Sequence, residues 1–167
     1  MAPAAGDAEF EEFVRVSWRR LGQAAYALTN DRHEAEDLLQ SVLERTYARW
    51  STVGEEDPLA YVRRALVHGY VDGWRRRKRL RMDPTDAPPE TPVSGGVDGA
   101  EHRVDLQHLL AELSPRERAM VVMRHYLDYS EDDVAAALGC SVGTVKSTCS
   151  RALARLRVPA ALTGRNI

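Results

Sequence analysis

The chain of 167 residues has only two cysteines, Cys140 and Cys149. No C-x-x-C pattern and no Cys/His cluster accompanies them, which excludes a zinc ribbon and a disulfide-stapled fold. Both are expected to act as small buried hydrophobes in a reducing compartment. Aromatic residues make up only 7%, with two phenylalanines. There is no secretory apolar segment and no apolar run of membrane length, so no membrane insertion is expected and a cytoplasmic location is the default. A nucleophile elbow, a phosphate-cradling glycine loop and metal-ligand spacing are also missing. The chain is therefore expected to be no enzyme, with no catalytic residue, no metal and no cofactor.

Net charge is small, −2, but it is unevenly distributed. Residues 1–60 hold 6 basic and 12 acidic side chains, residues 61–82 hold 8 and 1, residues 83–114 hold 1 and 7, and residues 115–167 hold 8 and 5. Two basic segments separated by acidic ones point to two nucleic-acid surfaces on one chain.

The stretch from Tyr129 to Arg157 reads as a helix, a tight turn and a second helix. Ser130 caps the first helix, Glu131, Asp132 and Asp133 suit the positive end of its dipole, and Gly139 suits the left-handed residue past its end. In the second helix Val145, Cys149, Ala152, Leu153 and Leu156 share one side, while Thr144, Ser147, Thr148, Arg151 and Arg155 share the other. No acidic residue follows Gly139. Short polar side chains backed by cations, Lys146 among them, suit a DNA major groove. A plain helical hairpin with a solvated basic face remains open at this level.

Upstream, Phe10, Phe13, Val14, Trp18, Leu21 and Ala25 predict an amphipathic helix to about Leu28. After Thr29-Asn30-Asp31, a second helix carries the stripe Ala35, Leu38, Leu39, Val42, Leu43, Thr46 and Tyr47 to near Trp50, and the short connection predicts antiparallel packing. Its other face, with Glu34, Asp37, Gln40, Ser41 and Glu44, is either a solvated surface or a docking face. Residues 51–57 are expected as a loop before a helix that opens with Pro58. Leu59, Val62, Leu66, Val67, Tyr70, Val71 and Trp74 form its core side. Arg63, Arg64, Arg75, Arg76, Arg77, Lys78, Arg79 and Arg81 surround it, interleaved with Tyr61, His68, Tyr70 and Trp74. Cations plus flat rings suit single-stranded DNA, although core packing explains Tyr70 and Trp74 equally.

Residues 82–100 are rich in Pro, Gly and acidic residues and read as an extended linker, either a solvated tether or an imitation of nucleic acid. Val104, Leu106, Leu109, Leu110 and Leu113 then form a helix. Ser114-Pro115-Arg116-Glu117 has the form of a capping box opening the next one, which contains Val121, Val122, Met123, Tyr126 and Leu127. The fold expected is all-α, with a helical domain at residues 9–81, the linker, and a helix-turn-helix domain at residues 101–158. The tail past Arg157 is short, and no appended regulatory domain is expected.

Three motifs resemble the extracytoplasmic-function (ECF) sigma factors of bacterial RNA polymerase, in particular the short actinobacterial SigE-type members. EAEDLLQSVLERTYARW resembles the core-binding part of sigma region 2, PLAYVRRALVHGYVDGWRRRKR its promoter-melting part, and LSPRERAMVVMRHYLDYSEDDVAAALGCSVGTVKSTCSRALARLR sigma region 4. The resemblance implies that Asp37, Leu38, Leu39, Gln40 and Glu44 meet the beta-prime clamp helices of core polymerase, with region 4 near the beta flap. It implies minus-ten contacts from Tyr61, Arg64, His68, Asp72, Trp74, Arg75 and Arg76, with an unstacked base held between the 51–57 loop and the following helix. It implies minus-thirty-five contacts from Thr144, Lys146, Ser147, Thr148, Arg151 and Arg155. Promoter DNA and core polymerase are the partners implied, an anti-sigma factor is a further candidate, and the free chain is expected to be a monomer. A stand-alone helix-turn-helix regulator is the alternative, but it leaves the basic aromatic helix and the acidic linker without a purpose.

Overall fold

A computed structural model describes residues 5–80 and 101–156, and the linker expected at 82–100 lies outside them. The described residues form eight helices: α1 (Ala5–Thr29), α2 (Arg32–Tyr47), α3 (Trp50–Val53), α4 (Pro58–Leu80), α5 (Glu101–Ala111), α6 (Pro115–His125), α7 (Glu131–Leu138) and α8 (Val142–Leu156).

Local sequence accounts for most boundaries. Asp31 Oδ1 accepts from the Glu34 amide at 2.9 Å and opens α2. Asp57 accepts from the Ala60 amide at 3.0 Å, just where Pro58 needs no donor. Ser114 and Glu117 complete the reciprocal capping box of α6. Ser130 caps α7, which ends at Gly139 with φ +63°. Asn30 (φ +53°) plays the same left-handed role after α1, its amide donating to Tyr26 O at 2.7 Å.

The N-terminal half packs α1, α2 and α4 together, with Leu21, Leu28, Val42, Val62, Leu66 and Val67 almost wholly buried. Three expectations shift here. The buried stripe of α1 passes through Ser17, Leu21, Ala24, Ala25 and Leu28, and Trp18 is 54% exposed, because it lies about 75° from the middle of that stripe. The second helix breaks at Ala48–Arg49, so Trp50 opens α3, a single helical turn where a loop was expected. Trp50 is buried against Phe10 and Phe13, whose ring centroids lie 5.1 and 5.2 Å away. Tyr47, assigned to the apolar stripe, is half exposed instead, donating to Asp7 Oδ1 at 2.7 Å and stacking on Phe10. In the C-terminal half α8 packs on α6 and α7 around Met120, Met123, Val134, Val145 and Ala152. Cys149 is buried and Cys140 half-buried, and both are free thiols.

The two halves are docked, with α1 against α6 and α4 against α7, and one continuous apolar cluster spans both. Three arginines cross the boundary, each donating to a carbonyl at or just past a helix C-terminus. Arg118 Nη1 donates to Thr29 O, the last residue of α1, at 2.9 Å. Arg63 Nη2 donates to Leu127 O beyond α6 at 3.0 Å. Arg75 Nη2 donates to Ala137 O in the last turn of α7 at 3.0 Å. Neither α1 nor α7 has a basic residue of its own in its last turn, so the opposite half supplies one. Arg118 also reaches Leu113 O at 3.2 Å, while its buried Nε has no partner and burial lowers the pKa of the guanidinium. Tyr70 Oη completes the seam by donating to Pro115 O at 3.3 Å.

Arg118→Ala removes the donors of two carbonyls and is expected to cost about 1–3 kcal/mol in urea unfolding. Arg118→Met, which fills the space without a buried charge, should cost less. Equal losses in both variants would mean that the lost hydrogen bonds, and not packing, account for the whole cost.

Candidate nucleic-acid interface

α4 presents three faces. Val62, Leu66, Val67, Tyr70 and Val71 face inward, and Arg63 and Arg75 face the C-terminal half. The remaining face, with Tyr61, Arg64, Ala65, His68, Gly69 and Asp72, meets Val42, Arg45, Thr46, Ala48 and Arg49 of the α2 end across an open concavity of about 650 Å³. Gly69 sets the width of this groove: a Cβ there would lie 2.9 Å from Leu38 Cδ1. The groove therefore lies between α2 and α4, and no residue of 51–57 lines it, unlike the pocket expected from sequence. Arg45 and Arg49 were absent from the sequence-based candidates. Their only signal was an i, i+4 pair of cations on α2, whose relevance depends on which side of α2 the packing turns toward α4.

The structure separates the other α4 candidates. Tyr70 is buried at the seam, as the packing explanation requires. Trp74 is half-buried beneath Lys78, whose Nζ is 5.5 Å from the ring centroid. Arg75 is spent on Ala137 O, whereas Arg64, His68, Asp72 and Arg76 are exposed.

On α8, Ser141 Oγ accepts from the Thr144 amide at 3.1 Å and so caps the helix. Thr144, Ser147 and Arg151 are exposed along one side, with Lys146 exposed on the flank toward α7, and Arg151 Nε leans back on Ser147 O at 3.3 Å. Lys146 Nζ lies 3.5 Å from Glu131. Two residues depart from the expected reading face. Thr148 is only 8% exposed, because it sits three residues from Val145 and four from Ala152, both fully buried. Arg155 binds Glu117 at 3.0 Å and reaches Glu112 O at 3.5 Å, clasping α8 to the capping box of α6. The Arg155 hydrogen bond, followed by the Ser114 amide, lowers the Glu117 carboxyl to about 2.

On α2, Asp37, Gln40, Ser41 and Glu44 are exposed in a row, with Gln40 Nε2 donating to Glu44 at 3.1 Å. Leu38 is half-buried. Leu39 is 2% exposed and belongs to the core, where it cannot touch a partner.

Comparison with known proteins gives this arrangement a family. The model for sigma-70 region 2 matches residues 14–80, and that for sigma-70 region 4 matches residues 103–156. The RNA polymerase sigma-E factor of Streptomyces coelicolor is 45% identical over 151 residues, covering 89% of this chain and 84% of that protein. The chain belongs to the sigma-70 family. It is an RNA polymerase sigma factor of the ECF type and not an enzyme. ECF sigma factor SigM of Mycobacterium tuberculosis is 31% identical over 159 residues, 93% of this chain and 79% of that one. The sigma factor RpoE of Bartonella quintana, solved in complex with the anti-sigma factor NepR, superposes with a TM-score of 0.65 at 26% identity, covering 94% of this chain and 98% of that one. In region 2 the groove lies on α2 and α4, and in region 4 the exposed polar side lies on α8.

Because Glu117 is held at about 2 in the folded chain, its contribution to stability is full above its ordinary value near 4.5 and is lost as pH falls toward about 2. Arg155→Ala should return the Glu117 carboxyl toward 4.5 and remove this contribution. Carboxyl NMR titration of Glu117 in the two proteins checks the shift, and an unchanged value in the variant would assign it to the cap alone.

Proposed function

We infer that this sigma factor divides its work among three surfaces. The exposed row Asp37, Gln40, Glu44 on α2, flanked by Leu38, docks on the clamp helices of core polymerase. The α2–α4 groove, with Tyr61, Arg64, His68 and Asp72, takes the opened minus-ten strand, while Trp74 and Arg76 follow it along α4. Thr144, Lys146, Ser147 and Arg151 of α8 take the minus-thirty-five duplex. Arg75 joins the minus-ten set only after it leaves Ala137. The domains implied are residues 9–81 and 101–158, with 82–100 as the tether.

The observation that carries this reading is the pairing of two separate exposed cationic faces, one a groove edged with an aromatic ring and one a helix bearing short polar side chains. A groove of that kind suits single strands, where stacking is worth ~1–3 kcal/mol per base and offsets the few kcal/mol needed to unstack a base. A helix of the second kind suits a major groove. Joined on one chain and held on polymerase, two weak sites act at high effective concentration. The reading implies a cytoplasmic protein, monomeric when free, and no described helix is long and apolar enough to cross a membrane. The Bartonella structure was solved with an anti-sigma factor, and a partner of that kind is proposed for this chain too.

Run-off transcription on genomic promoter fragments, with bacterial core polymerase and with or without the chain, tests the reading. Discrete starts that require the chain are expected. Gln40→Ala should weaken core binding by roughly 1 kcal/mol, about fivefold. Arg151→Ala should reduce binding to all promoters alike and lower the salt slope of duplex binding by about 0.9, as expected for one lost phosphate contact. Retention of duplex DNA by the chain alone, with no core-dependent starts, would instead make it a stand-alone regulator.

A further inference from the structure

We propose that Arg45 of α2 and Arg49, just past its end, form the phosphate track of a single-strand groove, and that this groove is already open while the two halves of the chain are docked. The inference rests on the minus-ten reading of the same groove and adds to it a second helix and a conformational state.

Three observations carry it. The first is the geometry: Arg45 and Arg49 line the concavity opposite Tyr61, Arg64 and His68, so cations stand on both walls and an aromatic ring stands on one. Arg45 stands in the last turn of α2 and Arg49 just past its end, at the N-cap of α3, so the two cations follow one another along the same wall. The second is the charge balance. Among the described residues no carboxylate forms an ion pair with Arg45, Arg49 or Arg64. Arg45 Nε donates to Ser41 O at 3.1 Å, which steadies the side chain and leaves its Nη atoms for a ligand. Asp72 is the one acidic residue of the lining. Facing an amino group of a base, it suits recognition at one point and leaves the rest of the wall cationic. The third is the division of α4. The arginines that hold the docked state, Arg63 and Arg75, lie on another face of the helix, so docking does not consume the groove.

The chemistry selects the ligand class. Guanidinium groups on two walls neutralise a phosphodiester backbone, and one flat ring accepts a stacked base, a combination matched to single-stranded nucleic acid. The free chain should therefore bind a short single strand before any polymerase is present, with its halves still together.

Fluorescence anisotropy of the full chain with a labelled twelve-nucleotide single strand, read across a salt series, tests this. For single strands log K falls with log salt by about 0.7 per phosphate neutralised. Arg45→Ala/Arg49→Ala should thus lower the slope by about 1.4. Arg45→Lys/Arg49→Lys should retain it, which guards against misfolding of the alanine variant. Tyr61→Ala should weaken binding tenfold or more with the slope unchanged, as lost stacking would. Arg19→Ala, at an exposed arginine of α1 outside the groove lining, should change neither. An unchanged slope in the double alanine variant, or no strand binding by the parent chain, overturns the proposal. Run-off transcription with core polymerase separates the two readings. If the parent chain initiates and the double alanine variant initiates equally well, Arg45 and Arg49 are excluded while the sigma role stands. If the parent chain does not initiate, the minus-ten reading fails along with the proposal.

Discussion

The docked arrangement depends on helix C-termini whose carbonyls have no donors of their own. The last four carbonyls of any helix lack intrahelical partners and carry the negative end of the dipole. In α1 and α7 the last turn offers no basic side chain, and arginines from the other half take that place. A charged donor to a carbonyl is worth about 1.5–3 kcal/mol, well above a neutral one. Against this stands the burial of Arg118, which among the described residues has no carboxylate partner and leaves its Nε unmatched. Asn30 Oδ1 and Tyr129 Oη are likewise buried without partners among the described residues. A seam with strong individual bonds and unpaired polar atoms is specific in geometry and modest in net stability.

The seam also explains how α4 serves three purposes. A helix turns 100° per residue, so residues one or two apart in sequence present quite different faces. Arg63 and Arg64 are neighbours, yet one reaches Leu127 O in the other half and the other lines the α2–α4 groove. The run from Arg75 to Arg79 continues the basic surface, and there Arg77 pairs with Glu34 at 3.7 Å while Lys78 covers Trp74. A run of like charges in the sequence is therefore divided in space among an interdomain clamp, a groove and a solvated end.

Region 4 shows the same division on a smaller scale. Its exposed polar side is narrower than the polar residues of α8 suggest, because Thr148 turns inward and Arg155 is committed to Glu117. Threonine is small enough and apolar enough through its methyl group to sit at a core edge, so its residue type does not reveal its side. Arg155 lies one turn beyond Arg151 on the same general face, but α6 passes beneath it with the Glu117 carboxylate already fixed by the capping box.

Local chemistry was largely written in the chain. The caps at Asp31, Ser114 and Ser130, the left-handed stop at Gly139 and the inward periodicity of α2, α4 and α8 arise from interactions within four residues, and these survive whatever surrounds them. The all-α class, the two basic segments and the family resemblance followed from the same short-range patterns. What tertiary structure alone decided was which of several chemically equivalent residues meets which neighbour. It placed Ser17 rather than Trp18 inside, put Leu39 in the core, turned Trp50 into an aromatic anchor, paired Arg45 and Arg49 with α4, and sent Arg63, Arg75 and Arg118 across the seam. Arginines have long, adaptable side chains with five donors, so their type and spacing leave the acceptor open. Only the packing of helices distant in sequence brings one carbonyl, and not another, within three ångströms.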